Sequence, residues 1–96
     1  MKIKEHYNSF IPRIFKASAV TLGSHIFYGQ AQNQISARLR RHEMVHVEQY
    51  RKDGFFGFLY RYLKTYFKLR MQGKSHIIAY YSIPYEEEAY AKERQA

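Results

Sequence analysis

Two histidines stand four residues apart in Arg38-Leu39-Arg40-Arg41-His42-Glu43-Met44-Val45-His46. On a helix this spacing places both rings on one face, one turn apart. Two imidazole nitrogens can then reach a single metal ion. Glu43, beside the first ring, lies where it can take a proton from a water on that ion. A chain built on His-Glu-x-x-His therefore needs a helix through 42–46. It also needs another donor from elsewhere, because catalytic zinc takes three protein ligands and a water.

The 96 residues contain no Cys, so disulfides and thiolate ligands are excluded and the third ligand must be a histidine or a carboxylate. The acidic candidates are Glu48, Asp53, the run Glu86-Glu87-Glu88, and Glu93. Glu48 and Asp53 are too close in sequence to turn back onto the same ion. Glu93 is set aside as near a fraying helix end. The run opens a helix, where the dipole also favours carboxylates. Successive helical positions point about 100° apart, so at most one or two of the three can face inward. Tyr85, Ala89 and an edge of Tyr90 mark the apolar face, and Glu86 shares it. Glu88 is the nearest rival, and Glu87 is read as facing solvent.

His-Glu-x-x-His on one helix, followed a few tens of residues later by Glu86-Glu87-Glu88-Ala89, resembles the gluzincin group of zinc metallopeptidases. In that group the later Glu commonly stands three residues before a small one. The short chain resembles the minimal single-domain members, the minigluzincins, over about residues 14–94. Tyr90 stands where many relatives have Asp, a departure that touches the usual carboxylate behind a metal-bound histidine. The resemblance implies an α+β, zincin-like domain over 1–96, with one zinc ion per chain on His42, His46 and Glu86. Glu43 would be the general base in peptide-bond hydrolysis. It also implies a small mixed sheet whose edge strand lies beside the active-site helix and binds an extended peptide or protein substrate. His76, Tyr80, Tyr81 and Tyr85 are available as donors to the reacting carbonyl.

Local signals outline the elements. Residues 1–12 read as an irregular lead-in closed by Pro12. Residues 13–20 read as a strand, 22–24 as a turn and 25–28 as the returning strand, giving an N-terminal hairpin. A polar loop over 29–34 leads to a helix capped near Ser36 and ending at Asp53-Gly54. Residues 55–71 form a second helix, expected to bury an apolar stripe in the core behind a basic outer face. Ser75 caps a short third helix to Tyr81, and Pro84 opens the last one, which runs to about Arg94.

Formal net charge is +8, and it is uneven. Residues 1–83 carry 14 Lys/Arg against 4 Asp/Glu, whereas 84–96 carry two against four. Such a surface suits nucleic acid, anionic lipid or acidic protein, although no nucleic-acid partner is expected. No leader peptide or membrane span is read from the sequence, and a cytoplasmic location is the default. Two rivals to the peptidase stand beside it. One is a zinc-stabilised binding module, catalytically weak or latent. The other is a basic protein of nucleic-acid or membrane surfaces.

Overall fold

The computed structural model describes residues 2–94. Strand β1 (Lys4–His6), a short helix α1 (Ile11–Ile14) and strands β2 (Ala19–Leu22) and β3 (His25–Tyr28) come first. A 3-10 turn (Gln32–Gln34) leads into helices α2 (Ala37–Asp53), α3 (Phe55–Met71), α4 (His76–Tyr81) and α5 (Pro84–Glu93). The fold is α+β, with a hairpin-based N-terminal sheet, the His-Glu-x-x-His helix and C-terminal helices, as expected.

The sheet order is β1-β3-β2, with β1 parallel and β2 antiparallel to β3. Two expectations fail here. Residues 4–6 are a strand rather than part of an irregular lead-in. Its partner Lys4↔His25 lies far along the chain, and such pairing leaves no local signature. The first hairpin strand begins at Ala19, not Arg13. Pro12, at the start of α1, suits the first turn of a helix, and that turn displaces the extended reading of 13–18. Gly23, at φ +66°, makes the tight turn that returns the chain into β3.

Helix α2 begins where Ser36 Oγ accepts the Leu39 N–H at 3.0 Å, a cap that satisfies one of the first turn's unpaired donors. Gly54, at φ +80°, ends α2 and starts α3 without a linker. Ser75 caps α4 in the same way, accepting from the Ile78 N–H at 3.3 Å. Ile26, Tyr28 and Val47 are fully buried and join the sheet to α2. A second set of contacts is aromatic. Phe58 of α3 stacks on Tyr50 of α2 at 3.9 Å and on Tyr85 of α5 at 4.3 Å, tying three helices around one ring.

Helix α3 departs from expectation in what it exposes. Only Phe58 is fully buried on it, while Phe56, Tyr60, Leu63, Phe67 and Met71 all lie exposed. Its outer face is apolar as well as basic, because the small core has room for one side of the helix. Among the described residues no helix is long and apolar enough to cross a membrane.

Candidate metal centre

Helix α2 turns His42, Glu43, His46 and Gln49 inward, against α5, its most extensive packing partner. Nε2 of His42 lies 2.9 Å from Glu86 Oε1, and Nε2 of His46 lies 3.1 Å from the same oxygen. Exposure of the three side chains' residues is 3–4%. Their donor atoms all fall within 4.8 Å of one another. Among the described residues this is the one group of three or more His, Cys, Asp or Glu placed to hold a metal ion. The two remaining acids of the run diverge, since Glu87 and Glu88 are both exposed. Asp53 accepts from Tyr85 Oη at 2.6 Å and takes no part in the cluster.

Neighbours hold each of these groups in place. His46 Nδ1 lies 2.7 Å from Gln49 Oε1. An amide oxygen only accepts, so Nδ1 carries a proton, and Nε2 is left to face Glu86 across a shared proton or metal ion. Gln49 is itself held, donating through Nε2 to Tyr85 O at 3.0 Å and to Glu88 Oε1 at 2.6 Å. The outer oxygen of Glu86 accepts from Tyr62 Oη at 2.6 Å. On the other ring, Glu93 Oε1 lies 3.5 Å from His42 Nδ1. Glu93 is buried, and its backbone carbonyl accepts from Arg41 Nε at 2.9 Å. Glu93, set aside as near a fraying helix end, thus stands beside this ring. Tyr90 packs edge-on against the His42 ring at 4.4 Å.

Burial works against the charge of Glu86, yet hydrogen bonds from His42, His46 and Tyr62 hold its carboxyl well below the usual range. Burial likewise opposes the charge of His46, but the Glu86 hydrogen bond and charge override it, raising the imidazole to about 9. What joins two ring nitrogens to one carboxylate oxygen is a cation, either a proton or a metal ion. Zinc suits the donor set. Bonds of about 2.0–2.1 Å in tetrahedral geometry require ligand atoms roughly 3.3 Å apart, a few tenths of an ångström beyond the two nitrogen–oxygen separations found. Such an ion would add two nitrogens and a carboxylate oxygen to its shell and leave one position open.

Glu43 lies beside this cluster without joining it. Thr21 Oγ1, on β2, donates to its Oε1 at 2.7 Å. Burial pushes the Glu43 carboxyl above the usual range, against the pull of His46, Thr21 and His42. The carboxylate borders a cleft of about 280 Å³ between β2 and α3, lined by Val20, Leu22, Leu59, Tyr62 and Leu63 among others. A second hollow of about 220 Å³ continues past Glu43 toward His42, Tyr90 and Glu93. The free edge of β2 borders both. The two-residue turn makes Leu22↔His25 the closing hydrogen-bonded pair, so the Ala19 and Thr21 backbones point away from β3. Tyr50 Oη accordingly reaches Thr21 O, at 3.1 Å.

Of the four candidate carbonyl donors, Tyr80 lines both hollows. Tyr85 is engaged by Asp53, and His76 is exposed and paired with Tyr66 Oη at 2.9 Å. His6 and His25 are hydrogen-bonded to each other at 3.0 Å on the sheet and take no part in the cluster.

Fold and site together define a small α+β protein with a buried His-His-Glu group able to hold a metal ion. A family model, that of the eCIS core domain, matches residues 11–54. The span includes the hairpin, all of α2 with its two histidines, and Thr21, and it stops short of Glu86. No curated protein and no solved structure matches the chain.

Proposed function

We propose that the chain is a zinc-dependent metallopeptidase with His42, His46 and Glu86 as metal ligands and Glu43 as general base. The observation that carries this reading is a division of labour among four buried residues. Three converge on one point through Nε2, Nε2 and Oε1, while the fourth is turned aside by Thr21 and left facing the cleft. A zinc ion on those three ligands acidifies water and polarises a carbonyl.

The rest falls to side chains and backbone. The edge of β2 offers the Ala19 N–H and C=O and the Thr21 N–H to an extended peptide, the usual mode of strand addition. Glu43 accepts the proton of the attacking water on its carboxylate and returns it to the leaving amine. Its raised proton affinity brings it closer to the range in which a base both takes and gives a proton near neutrality. Tyr80 is positioned at the junction of the two hollows, where it can donate to the carbonyl oxygen. Gln49, Glu93 and Tyr62 orient the ligands.

Glu43→Gln tests the reading, because it keeps volume and removes basicity. Zinc content and melting temperature should stay at wild-type values, while cleavage of a mixed peptide library falls roughly 10²-fold or more. Zinc retained by a wild type that cleaves nothing, whether intact or trimmed of residues 1–12, would favour the zinc-stabilised binding module instead.

A further inference from the structure

Helix α3 has two working sides. Phe58 and Tyr62 face the interior. On the opposite side Phe56, Tyr60, Leu63, Phe67 and Met71 recur at intervals of four, three, four and four residues. Intervals of three and four stack side chains along one stripe of a helix. All five are exposed, Phe56 to 81%, Tyr60 to 65% and Met71 to 88%. At 1.5 Å per residue the stripe runs about 22 Å. Scattered apolar residues on a surface need no explanation, but a continuous aromatic ridge does.

Charge narrows what the ridge meets. Helix α3 carries Arg61, Lys64, Lys68 and Arg70 and no acidic residue. Arg61 is paired with Asp53 of α2 at 3.4 Å. Lys64, Lys68 and Arg70 make no ion pair among the described residues. On a helical projection Lys64 and Lys68 flank the stripe on one side, and Arg70 lies near its other margin. Lys64 bends over the Tyr60 ring at 5.5 Å, with its stem along apolar surface and its charge outward. A second copy of this face would bring like charges together.

We propose that α3 docks the protein on an anionic lipid surface. The aromatic ridge enters the boundary between headgroups and acyl chains, and Lys64, Lys68 and Arg70 meet the headgroups. Amphipathic helices with Phe and Leu on one face and lysines at its margin bind in this manner. Leu63 belongs both to the ridge and to the lining of the cleft, so docking brings the cleft mouth to the membrane surface.

Flotation of the 96-residue protein with phosphatidylcholine vesicles, with and without phosphatidylserine, tests this. Binding to the anionic vesicles should exceed binding to the neutral ones by roughly tenfold or more, and high salt should reduce it. The pair Phe56→Ser and Phe67→Ser should abolish it, and Lys64→Gln with Lys68→Gln should weaken it by roughly tenfold. Melting temperature and zinc content should stay unchanged in both double variants, which keeps this outcome separate from that of the metal centre. Absent flotation, or equal binding to neutral vesicles, overturns the proposal. So does a dimer in sedimentation velocity that the Phe56→Ser and Phe67→Ser pair dissolves, which would assign the ridge to a second copy.

Discussion

The hydroxyl of Thr21 donates a 2.7 Å hydrogen bond to Oε1 of Glu43, across 22 residues of sequence and from the edge strand to the central helix. Because that bond stabilises the ionised carboxylate, its loss raises the Glu43 pKa further. Thr21→Val should therefore move the acid limb of a peptidase pH profile to higher pH and lower activity at neutral pH by roughly tenfold. Zinc content should not change. A loss of zinc in Thr21→Val would place Glu43 among the ligands and sink its role as base.

Purified protein should carry about one zinc per chain, and His46→Ala should remove most of it. Glu86→Gln should weaken retention far more than Glu87→Gln, since Glu86 is buried against both rings and Glu87 faces solvent. Metal analysis after dialysis against zinc reads both results. A wild type that stays free of metal defeats the metal-centre reading.

Glu93 and Gln49 act through the rings they hold. Glu93→Gln and Gln49→Leu should each cost roughly 10- to 100-fold in zinc affinity, the usual penalty for removing a partner of a ligating imidazole. Competition with a chelator measures it. Truncation of a merely structural contact would lower the melting temperature of the metal-free protein instead, so both readouts are needed. Unchanged affinity in both variants would show that the rings hold their orientation without these partners.

Away from the centre, Glu5 accepts from Arg40 Nε at 2.9 Å and from Tyr28 Oη at 2.9 Å. The Arg40 hydrogen bond, acting against burial, lowers the Glu5 pKa from 4.5. A folded-state pKa below the unfolded one stabilises the protein above the unfolded value, and that contribution disappears as pH falls through the folded value. Arg40 is largely solvent-exposed, so the gain at pH 7 is at most about 1 kcal/mol. Denaturant midpoints of wild type and Glu5→Gln should differ at neutral pH and converge as the pH drops below 4.5. A gap that persists in acid would mean that packing, not charge, sets the difference.

Much of the centre is legible in the sequence. On a helix the spacing of His42 and His46 dictates a shared face whatever surrounds it, because residues four apart are joined by one backbone hydrogen bond and stand one turn apart. Ser36, Gly54, Ser75 and Pro84 mark helix ends by local chemistry, and all four stand where their helices start or stop. Glu86 was separable from Glu87 by periodicity alone, and the two indeed face different ways. Separating it from Glu88 took the fold, which directs Glu88 to Gln49 and Lys92.

Other features depend on partners distant in sequence. The pairing of Lys4–His6 with β3 needs the intervening hairpin first, and nothing in those three residues announces it. Glu93 reaches His42 only because α5 packs along α2, which places residues 51 apart beside one ring. Thr21 and Tyr62 are ordinary residues until a strand and a helix carry them to Glu43 and Glu86. The sequence shows α3 to be rich in apolar residues, yet which of them enter the core is decided by packing. A helix records which of its faces are apolar, and only the packing of the whole chain decides which of two such faces is covered.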